Sequence, residues 1–425
     1  MKILFKLILI VGVSLYLVLP ALAIEFFDIN KPRIEKLNLS INKSGDSDLV
    51  DLLVEQLRSQ MGRTLLFNIL DDTEESTFNL KISPTNDQKI VSVTLSGAQG
   101  QGFEPITTGM KFRDQDKEYV NLKSSQLGNF LIKNLMGIQG SLGGVVVWSE
   151  SKKGENKNSL VMRRFGSDIQ KQITYNLYNN TGVSWSPKGD AIIYSAQTDS
   201  GSNVFWQGFS PLRLKSERVY FSEGTSSSAT WGNNGNIYLA KYMGDKNTDL
   251  IEYTIVSGGT GRSLEMSRKL TKHVAIETEP ALSPDGKTLA YISDRTGTPQ
   301  VYLLNLATKK TTRLTKKGNY NSSPSWSPDG TMIAYNGVRN SKSVIFRVLV
   351  DDPLGFETQV SPKGMQAESP VWSSDGSLVA YQAKRTGQQN WKIYYSLSSG
   401  SPAQRLTKSK RGVDETSPSW NSGLR

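Results

Sequence analysis

Carboxylates recur just ahead of a repeated proline-containing unit: Glu277 and Glu279 before Pro280, Glu368 before Pro370, and Asp414 and Glu415 before Pro418. Gathered at one end of a rigid scaffold, they would make an acidic entrance suited to a basic or amide-rich partner loop. Paired at the right separation, two of them could instead hydrolyse a glycosidic bond, and a cluster could hold a cation. The prominent tryptophans and aspartates of the unit itself, as in Pro324-Ser325-Trp326-Ser327-Pro328-Asp329-Gly330, invite two further readings, ligand stacking and calcium binding. The recurrence of the tryptophans at one position of the unit points to packing, and Pro-Asp-Gly is turn chemistry rather than a calcium loop. His273 is the only histidine and there is no cysteine, which excludes a multi-histidine or thiolate zinc site and any disulfide frame. A serine triad would have to use His273, and no Gly-x-Ser-x-Gly elbow is present, so this histidine reads as a surface loop residue.

The elements that must position these groups follow from the repeat. Counted at the tryptophan position, copies fall at 185, 231, 282, 326, 372 and 420, with spacings of 46, 51, 44, 46 and 48. That length and density of turn signals fits a four-stranded propeller blade. In each unit Pro-x-Trp-Ser reads as a short strand. Pro-Asp-Gly then reverses the chain, and an apolar run such as Met332 to Tyr335 forms the second strand. Segments equivalent to Val301–Leu304 and Thr312–Thr315 supply the third and fourth. Ahead of the first complete unit stand only a second strand (Val145–Trp148), a third (Ser159–Arg163) and a fourth (Lys171–Thr174). The orphan Pro418–Asn421 is the missing first strand. The expected fold is therefore multidomain, an N-terminal α+β domain followed by a six-bladed β-propeller closed by a C-terminal strand latch.

Residues 1–23 read as a signal peptide, with Lys2 and Lys6, an apolar run from Leu7 to Leu19, and Ala21-Leu22-Ala23 as the cleavage site. Cleavage leaves 48 basic against 39 acidic residues, a charge of +9 that reads as a scattered, solvated surface or, alternatively, as attraction to anionic lipid or cell-wall polymer near a membrane. With no cysteine, an exported chain of this size suits a bacterial periplasm. Export and the lack of a recognisable binding motif argue against nucleic acid. The region 24–140 has another rhythm. A strand is expected over Arg33–Ile41, a helix capped by Asp46 or Ser47 and running to Met61, and a strand over Phe67–Leu70. A hairpin of Phe78–Ile82 with Ile90–Leu95 and a closing helix over Ser125–Met136 complete it, with Gly137 to Gly144 as the linker to a propeller spanning 141–425.

With these parts in place the mature chain resembles the TolB family of periplasmic propeller proteins. The resemblance is carried by Leu135-Met136-Gly137-Ile138-Gln139-Gly140, by Thr278-Glu279-Pro280, and by Ser293-Asp294 followed by Gly297, Pro299, Gln300, Val301 and Tyr302. It implies a binding protein without catalysis or cofactor, a monomer peripheral to the membrane. In the family the propeller mouth receives the peptidoglycan-associated lipoprotein Pal, and an extended N-terminus is read by the inner-membrane protein TolA. Carried onto this chain, the mouth residues are Thr225, Ser228, Thr278, Glu279, Ser322, Ser323, Glu368, Ser369, Asp414 and Glu415. Thr225-Ser226-Ser227-Ser228 lacks the family's usual histidine and proline, and Thr278 with Glu279 matches best. The arm is Ile24, Glu25, Phe26, Phe27, Asp28, Ile29 and Asn30, able to add a strand to a partner's sheet edge. The competing expectation is an exported propeller that cleaves or binds a polysaccharide.

Overall fold

The computed structural model describes residues 36–421, apart from 72–75, 98–104, 114–115, 137–139, 153–154, 156, 177, 199–200, 210–215, 223–225, 243–246, 260, 353, 401 and 410–411. The N-terminal part runs β1 (Leu37–Lys43), α1 (Asp48–Arg63), β2 (Phe67–Leu70), β3 (Phe78–Pro84), β4 (Ile90–Gly97), β5 (Ile106–Lys111) and α2 (Lys117–Met136). Its strands form one sheet in the order β2-β1-β3-β4-β5, parallel at β1 and antiparallel after β3. Ser47 caps α1 through its hydroxyl, and Leu49, Val50, Leu53, Leu57 and Met61 bury one face of that helix. Two features depart from expectation. Helix α2 starts eight residues earlier than Ser125, because Asp116 accepts from the backbone N–H groups of Glu118 and Tyr119 and so nucleates an earlier turn. Strand β5 went unforeseen; its glycine and threonines give little apolar signal, and the antiparallel pairing with β4 creates it.

The remainder is all β. Strands β6 (Val145–Lys152), β7 (Asn158–Arg164) and β8 (Gln170–Gln172) are followed by β9 (Asn179–Trp185), β10 (Ala191–Thr198), β11 (Gly201–Gly208) and β12 (Ser216–Ser222). Four further sheets of four antiparallel strands follow among the described residues. They are β13 (Ser226–Trp231), β14 (Ile237–Tyr242), β15 (Thr248–Gly258), β16 (Gly261–Lys269); β17 (Glu277–Leu282), β18 (Thr288–Ser293), β19 (Gln300–Asn305), β20 (Thr311–Arg313); β21 (Asn321–Trp326), β22 (Met332–Arg339), β23 (Lys342–Leu349), β24 (Glu357–Gln359); and β25 (Met365–Trp372), β26 (Leu378–Arg385), β27 (Lys392–Leu397), β28 (Gln404–Arg405). The last strand, β29 (Val413–Asn421), lies antiparallel to β6.

The turn chemistry works as the sequence implies. Ser283-Pro284-Asp285-Gly286 is closed by a Gly286 N–H to Ser283 O hydrogen bond of 2.9 Å, with Gly286 at φ 73°. Asp285 accepts from the Ser283 hydroxyl and the Lys287 N–H, which is local stapling rather than ion binding. The tryptophans pack and also bridge. The Trp326 indole N–H donates to Ala281 O at 2.9 Å, that of Trp372 to Ser325 O at 3.0 Å, and that of Trp185 to Ser419 O at 3.5 Å. The first two bonds join one sheet to the first strand of its neighbour, and the third joins β9 to β29 within the eight-stranded sheet.

The core of the N-terminal part continues into the β region. Leu142, at the end of the expected linker, is buried with Trp148, Phe165, Tyr395 and Trp420 in the cluster that also holds both helices. Both backbone groups of Leu142 are bonded to the Asn129 side chain of α2. From Gly140 onward the described part of this connection is a packed seam, because an apolar Leu142 sits where exposure would waste it.

Three cations meet at that seam on Asp168, in the β7–β8 connection: Arg163 and Lys408 at 2.9 Å and Arg63 of α1 at 3.1 Å. Burial would raise the Asp168 pKa, but the Lys408 hydrogen bond and the charges of Arg63 and Arg163 hold it at about 2. A carboxylate whose folded pKa is depressed stabilises the fold above its unfolded value of about 4, and that stability is lost as pH falls toward about 2. Asp168→Asn is therefore expected to lower stability at pH 7 by about 1 kcal/mol, a modest figure because the group is half exposed. Thermal melts at pH 7 and pH 3 should show the gap between variant and native chain closing on acidification.

Candidate functional site

Strands β9, β13, β17, β21, β25 and β29 share one irregularity. In each, two residues oppose a single residue of the next strand. Glu279-Pro280 faces Tyr291, Ser323-Pro324 faces Tyr335, Ser369-Pro370 faces Tyr381, Ser417-Pro418 faces Trp148, and Gly182-Val183 faces Tyr194. These opposing aromatics are all fully buried. Such a β-bulge needs a first residue in the left-handed region, and Gly182, Glu279, Ser323, Ser369 and Ser417 all lie at φ between 52° and 59°. Proline suits the second place, because the ladder already skips an N–H there. A bulky Glu279 in this conformation costs of order 1 kcal/mol, and strain of that kind is concentrated at functional positions.

Thr278 and Glu279 are thus strand residues, correcting the expectation that they sit in a loop before the strand. The strand begins at Glu277, three residues ahead of the proline, because pairing resumes on the far side of the bulge.

The bulge residues ring a cavity of about 710 Å³, to which Gly182, Glu279, Ser323, Ser369 and Ser417 all contribute. Among the described residues lining it, Glu279 is the only charged one. A second cavity of about 410 Å³ adjoins it, shared at Glu279, Ser323 and Ser369, and further lined by Ser322, Glu368 and Tyr320. Glu279 accepts the Ser323 N–H at 2.5 Å. Burial raises the Glu279 pKa, and the Ser323 bonds only partly offset that. Glu368 accepts from the Gln382 side chain at 3.2 Å, while Gln382 Oε1 accepts the Ser417 N–H at 2.9 Å. Neighbouring bulges are thereby tied together, which fixes the shape of the opening.

Of the residues expected at the mouth, Glu279, Ser322, Ser323, Glu368 and Ser369 come together on these cavities, while Thr278 stands beside them on β17 without lining either. Thr225 and the arm, residues 24–30, lie outside the described residues; Ser228 is at the bulge position of β13. The two residues on β29 are corrected. Glu415 is completely buried, accepting the Ile393 N–H at 3.2 Å and the Thr407 hydroxyl, with Lys392 Nζ at 3.9 Å. Asp414 accepts the Trp391 N–H at 2.7 Å and does not line the cavities. Counting back from Pro418 shows why: Glu415 holds the place of Glu277 on β17, also fully buried and paired with Arg295, and not that of Glu279. On β29 it is Ser417 that lines the larger cavity, and on β9 Thr181 and Gly182. The position one or two before the unit's proline identifies them, and so a fixed offset would have found them. His273 is partly buried in a surface connection, its Nδ1 accepting the Ala275 N–H at 3.0 Å. Tyr178, Val274, Ile276 and Tyr320 are exposed apolar residues in the segments just ahead of β9, β17 and β21. Their positions in connecting segments gave no periodic signal.

A family model described as the TolB beta propeller domain matches residues 262–424. A TolB homolog from Chlorobium luteolum is 28% identical over 182 residues, 43% of this chain and 38% of that protein. The Tol-Pal system protein TolB of Bordetella pertussis is 40% identical over 57 residues, 13% of this chain and 12% of that one. These matches span well under half the length of the curated relatives. The crystal structure of TolB from Acinetobacter baumannii superposes with a TM-score of 0.77 at 17% identity, covering 91% of this chain and 97% of the other, which shows a shared fold.

Proposed function

We propose that this chain, a member of the TolB family, is a periplasmic protein-binding scaffold of the Tol-Pal envelope system, acting without catalysis. It would be exported by a cleaved signal peptide over residues 1–23 and would link two membranes. The mouth, with Glu279, Ser323, Glu368 and Ser369 at its centre, would receive the peptidoglycan-associated lipoprotein Pal of the outer membrane. The arm, residues 24–30, would add a strand to a TolA-like protein of the inner membrane, supporting envelope integrity and constriction at division. The observation that carries the reading is the ring of strained bulge residues around an open, shared cavity. Preorganised polar backbone at the end of rigid strands suits a surface that must hold one shape for a protein partner.

We further infer two domains, 24–140 and 141–425, the second a six-bladed ring. The eight-stranded sheet is joined between β7 and β9 by a single residue pair, Asn158 with Asn179. Dividing it there yields a blade of β29, β6, β7 and β8 and another of β9 to β12. With the four other sheets the count is six, and β29 is the latch.

Cross-linking in intact cells followed by purification of the chain should capture a peptidoglycan-associated lipoprotein and an inner-membrane TolA-like protein. Loss of the chain should cause outer-membrane blebbing and periplasmic leakage. A normal envelope together with neither partner captured would overturn the reading.

A further inference from the structure

We infer that the 410 Å³ cavity beside the mouth is a recognition pocket for one alkylammonium or guanidinium group presented by the docking protein, an inference that rests on the mouth being a partner site. Beside hydroxyl groups, which can donate or accept, its lining offers three acceptor-bearing side chains, Asn336, Glu279 and Glu368. Asn336, of which only 5% is exposed, lines the cavity; its amide N–H donates to Ser322 Oγ at 3.0 Å and its Oδ1 has no hydrogen-bond partner. Buried carbonyl oxygens are nearly always bonded, so an orphan at a cavity wall marks the place of an absent donor.

Two carboxylates face the same space. Glu279 uses one oxygen on the Ser323 N–H, and Glu368 accepts from the neutral amides of Gln382 at 3.2 Å and Gln366 at 3.4 Å. Among the described residues, no lysine or arginine lines the cavity to neutralise either. Burial works against the charge of Glu279, and a bound cation would reverse that. A lysine or arginine head would thus meet two anionic acceptors and one neutral acceptor at once, in charge-assisted hydrogen bonds. Val338 and the ring of half-exposed Tyr320 border the cavity and offer contact for the side-chain stem.

The test uses the mature chain with selectively labelled valine methyl groups, reading the Val338 resonances during titration. The probes are the N-acetyl methylamides of lysine, arginine and norleucine, and calcium chloride in a separate arm. Saturable shifts are expected with lysine and arginine and not with norleucine. Raising salt from about 50 to about 500 mM should weaken them several-fold. Glu368→Gln should weaken binding roughly tenfold, the loss of one charge-assisted contact, and the Glu279→Gln/Glu368→Gln pair should abolish it. If the double variant melts early, the salt dependence and the norleucine comparison on the native chain decide the matter. Equal response to norleucine, no saturable shift, or a response to calcium alone would each overturn the proposal, the last in favour of a metal site. No partner protein enters this assay, so its failure and a failure to capture lipoprotein from envelopes are separate results.

Discussion

Removing Pro418–Arg425 is expected to lower the melting temperature by roughly 10–20 °C or to leave the chain insoluble, a loss above about 5 kcal/mol for a domain of this size. The deletion takes away three ladder pairs, Ser419 with Val147, Trp420 with Val146 and Asn421 with Val145. It also takes away Trp420, 8% exposed and packed in a tilted arrangement at 5.0 Å from Phe165, whose truncation to alanine alone should cost about 3–5 kcal/mol. The Trp185 indole would lose its acceptor at Ser419 O, and β6 would present an open edge competent for intermolecular pairing. Because Phe165 and Trp420 belong to the cluster that contains α1 and α2, the damage should reach the N-terminal part as well. Differential scanning calorimetry of the truncated chain and of Trp420→Ala reads both effects. A native-like melt of the truncation would mean that β29 contributes only a loose end.

The parts of the molecule that a sequence can specify locally are those it specified well. The blade repeat was readable because a turn with proline at its second place and glycine at its fourth leaves few alternatives, and because the apolar runs between turns are long. Strand β2 falls on the expected Phe67–Leu70, and α1 starts at its expected serine cap. The candidate site is half legible: the unit points to Glu279, Ser323 and Ser369, which line the cavity, but not to the bulge that holds them. That irregularity exists only in the register between two strands, where one tyrosine must be matched by two residues. Without it the alternation along β29 is miscounted, and a buried acid passes for an exposed one. The seam around Leu142 was invisible for a similar reason: a glycine-rich stretch advertises freedom, while Asn129, thirteen residues away, removes it.

Glu415 turns that miscount into a measurable distinction. Glu415→Ala is expected to destabilise the chain by about 3–5 kcal/mol, because it takes from Lys392, itself largely buried, the carboxylate it is ion-paired with. The Ile393 N–H and the Thr407 hydroxyl would lose their shared acceptor in the same step. Burial already lowers the Lys392 pKa, and the Glu415 charge is the first influence that opposes it, so in the variant Lys392 should release its proton at lower pH still. A lysine whose folded pKa drops further below its unfolded value makes the variant lose more stability as pH falls toward neutrality and recover part of it at alkaline pH. Glu279→Gln should behave in the opposite manner. It keeps an acceptor for the Ser323 N–H and lies at an open cavity, so its melt should stay within about 1 kcal/mol of native while partner capture declines. Paired chemical-denaturation and capture measurements on the two variants separate the roles. A Glu415→Ala protein of native stability that fails to hold its partner would return that residue to the mouth and refute the register drawn from β29.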